Sequence, residues 1–309
     1  MRRLAVAAAL AASSFLPSLA GAQVAHTSAL LLELPSSARA LSLGNTFVAA
    51  GTDEAAIFYN PAQLAVIPKT SAGLSVQQWF LSSTLAAAAA ATRLAGGTIA
   101  LGLQVLDYGS SERVLGDPGA GGDGGGSTGT EVSAGDYVAS VGYAIAIHGL
   151  RVGATAKYVN QRLVDESQGT GAVDFGAAFD IHGATVAASV QNIGGEIPIA
   201  GGPLPRMVHV GAAVPIHGVG PLDFLGTAEI THTRDEKARA AGGLEVAYRA
   251  TGGVTFLGRV GALARPTGAE ISPLSFGGGL RAKHLALDYA YESSDVFGAM
   301  HRVGVRWWR

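Results

Sequence analysis

The sequence predicts an all-β fold: a transmembrane antiparallel β-barrel of about 14 strands with an N-terminal plug, or hatch, in its lumen. Three observations predict it. Of the 309 residues, 48% are hydrophobic and only 14% charged, with a mean hydropathy of +0.31, which leaves too few charges to solvate an ordinary soluble domain. From Thr70 onward, apolar residues alternate with polar or small ones in segments of about 10 to 13 residues, the period of half-buried strands. The links between those segments alternate between short and long, as periplasmic turns and extracellular loops do.

The chain opens on residues 1–22. Arg2 and Arg3 supply a charged start, Leu4 to Leu16 an apolar run and Ala20-Gly21-Ala22 a small-residue cleavage site, the three parts of a secretory signal peptide. Ser13, Ser14, Pro17 and Ser18 interrupt the run, so it falls short of the roughly 20 apolar residues that a membrane anchor needs. Without Arg2 and Arg3 the formal charge of −2 becomes more negative still, which speaks against a nucleic-acid partner. Cysteine is absent, and with it disulfides and thiolate metal sites.

Residues 23–69 are expected to form the plug. The stretch Ala38 to Ala65, ARALSLGNTFVAAGTDEAAIFYNPAQLA, shows no strand alternation. Its apolar members Leu41, Leu43, Phe47, Val48, Ile57, Phe58 and Tyr59 are each stabilised by roughly 1.5 to 3 kcal/mol when buried, so the segment belongs inside the barrel rather than hanging in the periplasm. A carboxylate in a restricted lumen is costly unless paired. Asp53 and Glu54 are therefore expected to lie among inward basic residues such as Arg151, Arg249, Arg259 or Arg281.

Residues 70–309 supply the barrel. The alternating segments are 70–81, 84–94, 97–106, 135–147, 150–162, 171–181, 184–193, 207–216, 221–231, 238–249, 253–264, 273–282, 285–293 and 300–308. In the segment at 285–293, for example, Leu285, Leu287, Tyr289 and Tyr291 share one face, with Asp288 and Glu292 on the other. The Ala-rich run Leu85 to Ala91 fits a helix as well as a strand, but it is too short to span as a helix. The apolar faces meet lipid, and the inward faces carry both signs of charge, including Lys157, Asp174, Asp180, Asp223, Glu229, Glu245, Asp288, Glu292 and Arg306. Such a mixture neutralises itself and can hydrogen-bond a plug. Closure removes the open sheet edges that hydrocarbon cannot satisfy.

Other motifs carry little chemistry. Gly116 to Thr130 is glycine-rich but has no lysine or helix start for a phosphate loop and too few carboxylates for calcium, so it reads as a flexible loop. His148, His182 and His217 each precede or approach glycine at predicted turns of separate hairpins, too far apart for a metal site. No nucleophile elbow, zinc-protease helix or carboxylate pair appears, so neither an enzyme nor a cofactor is expected.

The stretch ending in Asn60-Pro61-Ala62, followed by TSAGLSVQQWF and GGTIALGLQVLDYGS, resembles the PorV/PorQ family, itself similar to the FadL-like outer-membrane long-chain fatty-acid transporters. The resemblance spans essentially the whole mature chain. It implies a fourteen-stranded barrel in the outer membrane and places Asn60, Pro61 and Ala62 on the NPA motif of the hatch. It also implies passage of hydrophobic small molecules with the hatch as gate, or, from its PorV side, a non-transporting barrel that docks or shuttles for a protein-secretion system. The partners implied are outer-membrane lipid, a hydrophobic ligand and a secretion-system protein. If the barrel transports, Gly226, Gly242, Gly258 and Gly278 are candidates for a kinked strand that opens a lateral exit.

Overall fold

The computed structural model describes residues 27–78, 83–115, 126–265, 271–294 and 298–309. The signal-peptide segment thus lies outside the described residues, as does the centre of the glycine-rich loop. Fourteen antiparallel strands close on themselves. They are β1 (Thr70–Gln78), β2 (Thr84–Leu94), β3 (Gly97–Leu115), β4 (Gly126–Ile147), β5 (Leu150–Leu163), β6 (Glu166–Ile181) and β7 (Ala184–Gly194). The second half comprises β8 (Met207–Val219), β9 (Leu222–Thr233), β10 (Arg239–Arg249), β11 (Val254–Leu263), β12 (Ile271–Ala282), β13 (Leu285–Ser294) and β14 (Gly298–Trp308). The seam between first and last strands runs unbroken from Ser71 opposite Trp308 to Gln78 opposite His301.

Period 2 sorts the side chains. Leu101 and Leu103 point outward and are exposed, while Ala100 and Gln104 point inward and are buried. Outward Phe175, Ile230, Phe256, Phe276 and Val303 extend the same apolar coat around the barrel. The Ala-rich run is strand β2, with Ala87, Ala89 and Ala91 buried on its lumenal face. Among the described residues no helix is long and apolar enough to cross a membrane; the strands do so instead.

The short turns follow from their residues. Ala95-Gly96, His148-Gly149 and His182-Gly183 all take positive φ at both positions, the mirror-image turn that matches the twist of a hairpin and favours glycine second. These turns share an end with both ends of the barrel sequence, and we take that end as periplasmic.

Strand extends into two of the expected loops. The ladder of β3 and β4 continues past the predicted boundary, pairing Ser110 with Ser133 and Glu112 with Glu131, with register shifts on the way. Beyond the hydrocarbon nothing demands alternating hydrophobicity, so the signal fades while the backbone bonds persist. Likewise the expected loop at 163–170 is a tight turn at Val164-Asp165, with β6 already under way at Glu166. The link between β7 and β8 folds back on the barrel mouth: Glu196–Ile197 pairs with Gly202–Pro203, and Ile197 and Leu204 are buried against Leu31, Leu106, Val138 and Val159.

The plug fills the lumen with a chain of short turns. Leu30–Glu33, Glu54–Phe58 and Pro61–Val66 are 3₁₀ turns, and Ala38–Ser42 is a single α-helical turn, α1. Ser37, Asp53 and Asn60 cap three of them through side-chain oxygens, as short polar residues do before a helix. Leu43, Phe47, Ile57 and Leu64 are fully buried.

Candidate functional site

The lumen is the candidate site, and its lining is built where the plug meets the wall. Pro61 starts the last turn because its fixed φ suits the first helical position and its missing N–H is not needed there. Asn60 accepts from Ala62 N at 3.0 Å through Oδ1. Its amide donates to Val48 O at 2.9 Å, inside the plug, and to Ala177 O at 3.4 Å, on β6. The wall yields space for this contact: a Cβ on Gly176 would stand 1.9 Å from Asn60 Oδ1, and one on Gly153 would stand 2.5 Å from the carbonyl carbon of Pro61.

Wall side chains satisfy the plug's backbone, which has few neighbours of its own. Glu229 accepts from Val48 N at 3.0 Å and holds His209 at 2.8 Å. Ser189 and Gln191 donate to Tyr59 O and Phe58 O at 2.8 and 2.9 Å. Arg93 donates to Ala65 O and Ile67 O at 2.8 and 2.7 Å. Gln104 reaches Ser36 Oγ at 2.6 Å.

The acidic pair sits toward the periplasmic end. Asp53 meets Arg306 at 2.8 Å and the plug's own Arg39 at 3.6 Å. Glu54 is buried with one carboxylate oxygen unpartnered and packs over Gly73. Burial first, then the neighbouring charge of Asp53, pushes the carboxyl of this plug residue up to about 7. None of the four arginines expected to face the pair bonds it. Arg151 and Arg249 lie close to the periplasmic turns and meet Asp180 at 2.8 Å and Asp223 at 3.3 Å there. Arg259 is taken by Glu245 at 2.6 Å and Asp288 at 2.7 Å. Arg281 stands near the cluster but forms no ion pair with a described residue.

Between plug and wall at the other end lies a cavity of about 210 Å³. Leu32, Leu34, Leu41, Phe58, Met207 and Leu263 supply much of its apolar lining, Gln77, Gln104, Gln191 and Thr231 add neutral polar groups, and Glu33, Lys157, His209, Arg239, Arg265 and Glu292 add charged or titratable ones. Among the described residues no group of three or more His, Asp or Glu could hold a metal ion.

Solved structures share this architecture. The Pseudomonas putida toluene transporter TodX superposes with a TM-score of 0.58 at 12% identity, over 88% of this chain and 96% of that one. The Ralstonia pickettii toluene transporter TbuX gives 0.52 at 15% identity over 86% and 95%, and a Pseudomonas aeruginosa FadL homologue 0.53 at 11% over 89% and 98%. The fold is FadL-like. Neither a protein-family model nor a curated protein matches the sequence.

Several lumenal residues escaped the sequence reading. Arg39 lies in the plug, where the acidic pair drew attention outward to the wall. It is the lone basic side chain in an apolar stretch, and that was its signal. Arg302 shares the inward phase of Arg306 four residues on; it is fully buried and donates to Gln77 at 2.8 Å. The ladders through the four outward glycines, Gly226, Gly242, Gly258 and Gly278, run without register shift.

Proposed function

We propose that this is an outer-membrane barrel of the PorV/PorQ, FadL-like type that passes hydrophobic small molecules across the membrane, with the plug as gate. The observation that carries the reading is the 210 Å³ cavity on the extracellular side of the plug, whose apolar walls are contributed by both plug and barrel. Binding sites for small apolar ligands are concave, mostly apolar and fitted with a few polar groups. The transport named for TodX and TbuX is toluene transport, and a cavity of this size suits a compact molecule of that kind. A ligand seated there touches Leu41 and Phe58 directly, so its binding energy bears on the segment that closes the lumen.

The test is uptake of labelled toluene by proteoliposomes containing the full mature chain. Uptake above that of protein-free vesicles is expected, and Ala241→Trp, which fills the cavity from the wall, should lower it by more than half without affecting insertion. Equal uptake with and without protein would sink the proposal.

A further inference from the structure

Six charged side chains close a ring across the boundary between plug and wall. In order round the ring, Arg39 meets Glu245 at 3.1 Å, Glu245 meets Arg259 at 2.6 Å and Arg259 meets Asp288 at 2.7 Å. Asp288 then meets Arg306 at 3.4 Å, Arg306 meets Asp53 at 2.8 Å and Asp53 returns to Arg39 at 3.6 Å. No side chain in the ring is more than 15% exposed. Only Arg39 and Asp53 belong to the plug.

The way the ring divides is informative. Withdrawing a lone buried charge from its partner is costly, because it leaves an uncompensated charge behind. Here the plug would leave with Arg39 and Asp53 still facing each other, and the wall would keep the unbroken run Glu245–Arg259–Asp288–Arg306. Each half is neutral. Arg39 also keeps acceptors of its own inside the plug, Ala50 O and Thr52 Oγ1, both at 3.3 Å, and lies 5.5 Å from the centre of the Phe47 ring. Only two links join the halves: Arg39 to Glu245 and Asp53 to Arg306. The ring is also incompletely bonded, with Arg259 Nη2 and Arg306 Nε finding no acceptor, whereas a network built to stay closed gains by satisfying every donor.

From this geometry we infer that the ring is a two-link latch on the plug, which parts into two neutral halves when the plug leaves. Asp53 and Arg39 are its positioning residues on the plug side. The inference concerns the seating of the plug and holds whatever the barrel carries.

Single-channel recording of the full mature chain in planar bilayers tests it. Asp53→Asn preserves the cap of the turn that follows, because asparagine caps as well as aspartate, and removes one link. It should raise the open fraction by roughly tenfold or more, the factor that about 1.4 kcal/mol represents. The chain has no cysteine, so a tether can be placed without interference. The Cβ of Ala38 lies 3.5 Å from the Cβ position of Gly304, inside the roughly 3.5 to 4.5 Å that a disulfide spans. Ala38→Cys with Gly304→Cys should abolish the Asp53→Asn openings when oxidised and restore them on reduction. Openings that persist through the oxidised tether, or an Asp53→Asn chain as closed as the parent, would overturn the latch. Ion currents report the latch and toluene uptake reports the cargo, so either can fail without the other.

Discussion

The wall and the plug share one chain but are held by different chemistry. Every barrel strand is fixed by backbone bonds to two neighbours, and the ladder is indifferent to which side chains it carries as long as they alternate. The plug has almost no such ladder. Its turns are too short to stand alone, and its seating depends on individual side chains: Asn60 on Ala177 O, Glu229 on Val48 N, Asp53 on Arg306. The wall is therefore expected to tolerate substitution better than the plug, and none of its strand ladders depends on the plug staying seated.

The largest effect expected is from removing the plug outright. Deletion of residues 38–62 should leave a chain that still inserts and closes, since none of its strand ladders involves that segment. The lumen should then conduct ions steadily in a planar bilayer. Unchanged conductance would show that the plug is not what closes the barrel.

Next come glycines on the lumenal face, where wall and plug touch. Gly176→Val puts a side chain where Asn60 Oδ1 already lies, and overpacking of this kind costs typically about 1 to 3 kcal/mol. Because the rigid partner is the wall, the plug should give way. Amides of residues 47–62 are expected to exchange faster with deuterium while those of β6 keep their protection. Equal loss of protection in both would mean that the two regions unfold together and that the wall is no firmer than the plug.

This difference in cohesion also decides what could be read from the chain. Over its described residues each of the fourteen alternating segments falls on a strand, because a wall between lipid and a packed lumen imposes period 2 on residues such as Leu285, Leu287 and Tyr289. The failures lie where that demand lapses. Ser110 to Glu112 and Glu131 to Ser133 pair beyond the hydrocarbon with no periodic signature. The plug was legible as a different kind of segment, and its burial followed from Phe47, Ile57 and Phe58. Its partners were not, because pairing Asp53 with Arg306 rather than Arg259 depends on the height of each residue along tilted strands, and phase alone gives only the side it faces.

A smaller effect is expected from pH. Docking holds Glu54 protonated up to about 7, above the ordinary 4.5 of a glutamate. A group whose pKa is raised in the docked state stabilises that state most below its free pKa, and the contribution is lost as pH rises through the docked value. The plug should therefore be held more firmly at pH 5 than at pH 8, by on the order of 1 to 3 kcal/mol. Plug amide exchange, corrected for the intrinsic pH effect, should show this in the parent chain. Glu54→Gln should flatten the response; a slope that survives the substitution would assign it to other groups.

The smallest effect should come from glycines on the opposite face of the wall. Nothing lies within 4 Å of the Cβ positions of Gly226 and Gly258, and both interrupt an otherwise apolar outer coat. Glycine is destabilising inside a strand by roughly 0.5 to 1 kcal/mol relative to alanine, so Gly226→Ala and Gly258→Ala should leave the melting temperature of the folded barrel unchanged or slightly raised. The same pair separates two routes for a hydrophobic molecule. If these positions were hinges of a lateral exit, a side chain there would stiffen the strand and slow toluene uptake. The ladder runs through them in register, with Val246 opposite Gly258 and Gly258 opposite Gly278, so uptake should match that of the parent chain. A marked fall in uptake with intact folding would move the exit from the plug to the wall, and would mean that the wall, for all its continuous ladder, is the part that opens.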